Sequence, residues 1–434
     1  MRTQAIVSGL VSAVVGYASS FTVVLAGLRA VGATPAQAAS GLLALCAGIG
    51  VVAIGLGLRY RMPISIAWST PGAALLAATG PVPGGFPAAV GAFVVCAALM
   101  VLAGLSPWLA RAIAAIPRPI AGAMLAGVIL SLCTAPVRAV VDLPLLAGPV
   151  VLTWAVLLRY RRQWAVPGAL AAAVVGIGLR GVGDLGTLRP SVAFVVPTLN
   201  PSVLVSIAVP LFLVTMAAQN VPGMAVMATY GYHPPLRPIL VTTGLASAAA
   251  APFGGHALNL AAITAALTAG PETHPDPRRR WIATVALGTG QLTLGLGAGL
   301  AMALVLLSPP VLVIAVAGLA LLPALGSALA GAVTEPEGRE AAIVTFVVTA
   351  SGTTILGIGP AFWGLLAGAL TALLLWRRRP AAASAEAGAP SKAEPPAAVE
   401  ALAEATEAGT PSKAEAPAEA GTPSKAAAPA SGRQ

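Results

Sequence analysis

Pro63-Ile64-Ser65-Ile66-Ala67-Trp68-Ser69-Thr70-Pro71-Gly72 and Pro252-Phe253-Gly254-Gly255-His256-Ala257-Leu258-Asn259 decide how this chain is read. They lie in two apolar segments, Met62–Gly80 and Ala248–Gly270, each too broken to be one full membrane helix. In both, an extended or kinked piece precedes an Ala/Leu stretch of half-length helix. Pro71 suits a first helical position with Ser69 or Thr70 as its cap, because a cap hydroxyl takes an unpaired N–H and proline has none to lose. Ala73–Gly80 allows only about two turns, roughly half of a ~30 Å hydrocarbon core. Interrupted segments at corresponding places in two halves of a membrane chain point to a transporter's binding site.

Composition supplies the membrane setting. Of the 434 residues, 57% are hydrophobic and 9% charged, and the mean hydropathy is +0.89. Apolar runs near 20 residues long recur from Ala5 to Trp376, which excludes an ordinary soluble domain. The formal charge of +10 does not point to nucleic acid: residues 1–380 hold 20 Arg, no Lys and 7 acids, and the Arg sit at the ends of apolar runs. Arg2 and Ala36-Gln37-Ala38 imitate a cleaved signal, yet the run between them, about 24 residues, is too long for a signal core. It is read as a retained first membrane helix. Cys46, Cys96 and Cys133 are scattered and form neither a metal spacing nor an even disulfide set. No metal and no cofactor is expected.

An all-α polytopic membrane protein of about fourteen segments is therefore expected, with segments three (63–80) and ten (253–270) as the half-helices. If the loops alternate sides, 16 Arg fall on one side and only Arg29, Arg138, Arg180 and Arg189 on the other. That bias predicts cytoplasmic termini. A faint internal repeat runs through the chain. Pro35 and Pro234 are 199 apart, each after a Gly three residues earlier. Pro119 and Pro310 are 191 apart and share an Ala-Gly at the same offset, and Pro167 and Pro360 are 193 apart. Three ordered matches favour a 7+7 duplication; seven being odd, the second half enters inverted.

Other patterns carry less. Gly176-Ile177-Gly178-Leu179-Arg180-Gly181 fits the dinucleotide spacing but has no βαβ unit around it. Gly364 and Gly368 read as ordinary helix packing. Beyond Arg377-Arg378-Arg379, Gly-Ala-Pro-Ser-Lys-Ala-Glu at 388–394 recurs at 409–415 and, altered, at 421–427. Residues 380–434 lack aromatic groups and anything to bury, and are expected to be a disordered cytoplasmic tail.

The half-helices predict a site. Their N-termini should face each other at mid-membrane, each with roughly half a positive charge and unpaired N–H groups, which suits an anion. Polar residues expected at the same depth are Ser19, Ser20, Thr22, Gln219, Asn220, His256 and Asn259, with Tyr17, Phe21, Trp68 and Phe253 as aromatic neighbours. The seven acids before the tail, Asp142, Asp184, Glu272, Asp276, Glu335, Glu337 and Glu340, all fall in loops or at helix ends. An anion would meet no like charge at the midplane. The candidate binding residues are Ser20, Phe21, Ser69, Thr70, Gln219, Asn220, Gly255, His256 and Asn259. His256 is the one histidine expected within the membrane and the candidate proton carrier, since its ordinary pKa lies nearest neutrality. A neutral structural histidine is the alternative.

Ile66-Ala67-Trp68-Ser69-Thr70-Pro71-Gly72-Ala73, Met216-Ala217-Ala218-Gln219-Asn220-Val221-Pro222-Gly223 and the Pro252–Asn259 stretch resemble the benzoate:proton symporter family (BenE type). The similarity covers about 5–376 and is most specific at Gly254-Gly255-His256. The resemblance implies kinship with nucleobase–ascorbate and sulfate-permease transporters. It also implies a core domain, 5–107 with 200–308, and a gate domain, 108–190 with 309–376. Nucleobase members use carboxylates on segments eight and ten; here Gln219 and His256 or Asn259 stand there, which argues against a nucleobase and suits an anion.

The leading expectation is a secondary transporter of the bacterial inner membrane, importing benzoate or a similar aromatic carboxylate with a proton. Its partners are then that small anion, the proton and the lipid bilayer, with no nucleic acid; a homodimer is compatible with this reading. The rivals are a passive or differently coupled anion channel on the same fold and a polytopic membrane enzyme. The enzyme is disfavoured because no catalytic constellation is visible.

Overall fold

The computed structural model describes residues 2–106, 117–179, 191–334, 336, 338–356 and 358–376. The tail 380–434 and its expected disorder lie outside the described residues. So do Arg111, Arg180, Asp184, Arg189, Glu335, Glu337 and Arg377–Arg379, which carry part of the charge argument.

The described chain is nearly all helix. The first half contains α1 (Arg2–Ala30), α2 (Pro35–Tyr60), β1 (Ile66–Trp68), α3 (Thr70–Thr79), α4 (Gly85–Leu105), α5 (Arg118–Asp142), α6 (Pro144–Tyr160) and α7 (Ala165–Gly178). The second contains α8 (Pro201–Thr229), α9 (Leu236–Ala250), β2 (Leu258–Leu260), α10 (Ile263–Ala269), α11 (Trp281–Leu296), α12 (Ala298–Leu307), α13 (Pro310–Val333), α14 (Arg339–Ala350) and α15 (Pro360–Trp376). Among the described residues, seven helices are long and apolar enough to cross a membrane: α1, α2, α4, α5, α8, α9 with the turn after it, and α13. An eighth span results if α11 and α12, bent by 55° at Gly297, are counted together. The chain is thus a polytopic helical membrane protein. The remaining helices are shorter, from the 7 residues of α10 to the 17 of α6 and α15.

Local chemistry explains the boundaries. Thr34 caps α2 with a reciprocal pair: its hydroxyl takes the Gln37 N–H and the Gln37 side chain takes the Thr34 N–H, with Pro35 at the first position. At the other end of α2, Arg61 sits in the left-handed region, φ 52°, with its guanidinium 4.3 Å above the Trp281 ring. That cation–π contact ties the end of α2 to the start of α11.

Helix α8 is not uniform. Leu204–Ala208 and Met216–Asn220 are wide π turns, and each is followed two residues later by a proline, Pro210 and Pro222. Proline has no N–H and its ring crowds the carbonyl four residues back. The chain absorbs this by bonding one residue further: Val209 N–H reaches Leu204 O, and Val221 N–H reaches Met216 O.

Packing separates two sets of helices. α1 lies on α3 and α11, α2 on α11, and α4 on α9. α5 lies on α13 and α14, α14 on α15, and α6 on α7. The sets touch through α1 against α13 and α3 against α5. Gly27 permits the close α1–α3 approach, since a methyl there would overlap the Ala73 carbonyl oxygen. Gly364 and Gly368 do the same for α15 on Thr349 and Thr345 of α14, so this G-x-x-x-G packs helices within the chain.

Candidate functional site

The two broken segments meet each other. β1 and β2 pair antiparallel, with Ile66 opposite Leu260, Ala67 opposite Asn259 and Trp68 opposite Leu258. Backbone bonds extend the ribbon at both ends: Ser69 N–H to Ala257 O at 2.8 Å and Ala261 N–H to Ser65 O at 2.9 Å. Because the strands are antiparallel, α3 departs from one end and α10 from the other. Ser69 and Ala262, the residues before the two helices, are five register steps apart along the ribbon, about 17 Å at ~3.3 Å per residue. Pairing satisfies backbone groups that two lone extended pieces would leave bare in hydrocarbon.

The two helix starts are not equivalent. α3 has 10 residues, with Thr70 as the first and Pro71 as the second. Ser69 is its cap: the Oγ accepts the Gly72 N–H at 3.1 Å and the Thr215 hydroxyl at 2.9 Å. Ala73 N–H bonds to Ser69 O, and Pro71 has no N–H. Thr70 therefore offers the one first-turn N–H of α3 left for a ligand, and the residue is half-buried. α10 has only 7 residues and no side-chain cap. Its other end is held by Arg280, which is 6% exposed and donates to Ala269 O at 2.7 Å and His274 O at 2.8 Å. The guanidinium there matches the partial negative charge of a helix C-terminus.

The polar residues divide by what they already touch. Asn220, in the second π turn, accepts the Leu260 N–H at 2.9 Å, and its Nδ2 faces Thr215 O and Met216 Sδ. It clamps α8 to β2 and is fully buried. The Asn259 amide lies between Ser69 N–H, 3.1 Å from its oxygen, and Leu260 O, 3.0 Å from its nitrogen. Ser20 donates to Gly16 O and accepts the Trp68 Nε1–H at 2.9 Å. Gly255 backs onto α9: its N–H bonds to Ala250 O, and a Cβ would come 2.8 Å from the Ala250 Cβ. Gln219 is half-buried, and its amide has no partner among the described residues.

His256 is fully buried and packs edge-on against Phe93, ring centroids 6.4 Å apart. Its Nδ1 accepts the Ala257 N–H at 2.7 Å, and Nε2 has no partner among the described residues. The neutral ring must therefore carry its proton on Nε2. His256 thus sits on the α4 side of the ribbon. Phe21 lies on α1, where with Thr22 it lines a small cavity walled otherwise by aliphatic groups such as Leu170, Leu312 and Val316. A second small cavity runs along α3 from Leu75 to Thr79, facing Ser131, Ser206 and Thr349. The described acids, Asp142, Glu272, Asp276 and Glu340, stand at helix ends or in loops. Among the described residues no group of His, Cys, Asp and Glu can hold a metal.

Two features escape sequence reasoning. Thr215, one turn before Gln219, holds the α3 cap, and Thr264 opens α10 with a buried hydroxyl that lacks a partner among the described residues. The pairing of Ser69 with Thr215 crosses 146 residues and has no local signal. For Thr264 the signal was its place directly after the extended piece of the broken segment.

A helical membrane protein built around two short helices that diverge from a paired ribbon has the architecture of a transporter. The solved transmembrane domain of a cyanobacterium bicarbonate transporter, BicA, shares this fold, with a TM-score of 0.53 at 14% identity, covering 83% of this chain and 97% of that one. Residues 1–374 match the family model described as benzoate membrane transport protein (BenE), and the chain belongs to that family. It is 38% identical to inner membrane protein YdcO of Escherichia coli (strain K12), over 85% of this chain and 95% of that protein. It is 31% identical to the benzoate membrane transport protein of Acinetobacter baylyi (strain ATCC 33305 / BD413 / ADP1), over 86% and 95%. The family is one of membrane transporters, not enzymes.

Proposed function

We propose that this protein imports benzoate or a similar aromatic carboxylate, with a proton, across the bacterial inner membrane by alternating access. The observation that carries the reading is the ribbon with its two diverging helices, bordered by the free Gln219 amide and by no described carboxylate. The family match and the Acinetobacter relative's name favour benzoate. Thr70 and Gln219 offer donors to the carboxylate, and Phe21 and Trp68 offer faces to the ring. Ser69, Asn220 and Asn259 hold the ribbon in shape around it.

Coupling has a physical reason. A monovalent anion entering a negative interior works against about 2.3 kcal/mol per 100 mV; one proton per anion makes the step electroneutral. His256 is the proton carrier in this reading. A proton arriving on Nδ1 displaces the Ala257 N–H that now occupies it, and Ala257 O is the acceptor for Ser69 N–H at the α3 cap. Protonation thereby reaches the ribbon, so anion and proton each favour the other's binding.

The architecture completes the proposal. Fourteen segments in a 7+7 inverted repeat would form a core around the ribbon and a gate built on α5–α7 and α13–α15. The two packing sets, joined through α1–α13 and α3–α5, support that division. Both termini would be cytoplasmic. Uptake of labelled benzoate into proteoliposomes, with an imposed proton gradient and with an uncoupler, tests the reading. Accumulation that the uncoupler abolishes supports symport. Equilibration indifferent to the gradient identifies a passive carrier or channel instead.

A further inference from the structure

Two buried hydroxyl groups near the ribbon lack any partner among the described residues: Tyr17 Oη on α1 and Thr264 Oγ1 on the first turn of α10. Each residue is only 9% exposed. Buried donors without partners are uncommon because the lost hydration is not replaced, and each one calls for a cause. These two share a neighbourhood. A Cβ on Gly16, the residue before Tyr17, would lie 3.2 Å from the Thr264 methyl carbon.

Most hydroxyls around them are satisfied; among the described residues Thr22 Oγ1 is not, and it lines the aliphatic cavity beside Phe21. Ser19 and Ser20 bond to Gly16 O, Ser65 pairs with Thr268, and Thr268 also reaches back to Thr264 O. Thr264 has no such recourse: the residue four before it is Leu260, in β2, where no helical carbonyl stands behind it. Tyr17 cannot swing away to find a partner either. Its ring stacks on Phe21, centroids 5.3 Å apart at 19°, and meets the Trp68 edge at 5.8 Å and 64°. Trp68 is in turn fixed by its bond to Ser20.

We propose that Tyr17 Oη and Thr264 Oγ1 donate hydrogen bonds to the carboxylate of an aryl carboxylate, whose ring packs against the Tyr17–Phe21–Trp68 wall. The proposal rests on the substrate reading above and adds two hydroxyl donors to those of Thr70 and Gln219. Neutral hydroxyl donors beside aromatic rings suit a small molecule with both a carboxylate and a ring. A neutral amide of the same shape gives hydroxyl donors a weaker acceptor. Benzamide should therefore bind much more weakly than benzoate.

The test is equilibrium binding of labelled benzoate to the purified full-length chain in lipid nanodiscs, with melting temperature measured on the same samples. The variants are Tyr17→Phe, which keeps the ring, and Thr264→Val, which keeps the shape. Each should weaken benzoate binding by about tenfold or more, as expected for a hydrogen bond to a charged group, and should narrow the preference for benzoate over benzamide. Neither should lower the melting temperature, because each removes a donor that has no protein partner. Binding within twofold of the unaltered chain overturns the proposal and leaves the transport reading standing. Weakened binding with a lowered melting temperature also overturns it, since the hydroxyls would then be structural. No benzoate binding by the unaltered chain overturns the substrate reading itself.

Discussion

Ser69→Ala probes the α3 cap, and its cost can be worked out from two bonds. The Ser69 Oγ accepts the Gly72 N–H and the Thr215 hydroxyl, and both Ser69 and Thr215 are fully buried. Removing an N-cap hydroxyl costs about 0.5–2 kcal/mol. Orphaning the buried Thr215 donor adds about 1–3 kcal/mol, so Ser69→Ala should destabilise by roughly 2–5 kcal/mol in total. Thr215→Val takes away the donor itself and should cost about 1 kcal/mol. In the double variant no donor is stranded, and the loss should fall back towards that of the cap plus one bond. The cycle should therefore show a coupling of about 1–3 kcal/mol. Denaturation of the purified chain in mixed micelles, followed by tryptophan fluorescence, measures all four corners. Additivity within about 0.5 kcal/mol would refute the shared-hydroxyl account.

Three further outcomes are expected. His256→Gln should retain benzoate binding but lose acceleration by an inward proton gradient; gradient-driven accumulation that persists in proteoliposomes would remove His256 as the carrier. Arg280→Ala takes the guanidinium from the end of α10 and leaves Ala269 O and His274 O without it, so it should destabilise by about 2–3 kcal/mol. Arg280→Lys should restore part of that, both read from the same micelle titration. A chain ended after Arg379 should insert and take up benzoate at close to the full-length rate, since the remaining sequence has nothing to bury; loss of uptake in correctly inserted protein would assign the tail a role.

Much of the membrane fold was readable because burial in lipid writes itself as long apolar runs. Among the described residues seven helices reach spanning length. Composition does not report where a helix breaks inside such a run, as at Gly297 or at the π turns of α8. Of the ribbon, proline and glycine marked the extended pieces at Pro63 and Gly254-Gly255. Their partnership with each other is a long-range backbone contact that no local pattern encodes. Reading Gln219-Asn220 as one polar pair was natural in sequence, yet the wide turn gives the two amides different roles. Asn220 ends up on the Leu260 N–H while Gln219 stays free. Tyr17 was legible as an aromatic neighbour, but its unmet hydroxyl becomes visible only once everything around it is counted.

The β1–β2 ribbon also sets the order in which the molecule can be completed. Trp68 pairs with Leu258, which leaves the ribosome 190 residues later. At about 5–20 residues per second that is a wait of roughly 10–40 s. Throughout it, the backbone of β1 has no strand to bond and the hydrocarbon offers no water in its place. The first half must therefore keep this piece hydrated or shielded until β2 arrives. The ribbon at the centre cannot close before β2 is made, and chains stalled before Leu258 should be the ones that quality-control proteases recognise, cutting near Met62–Ser69.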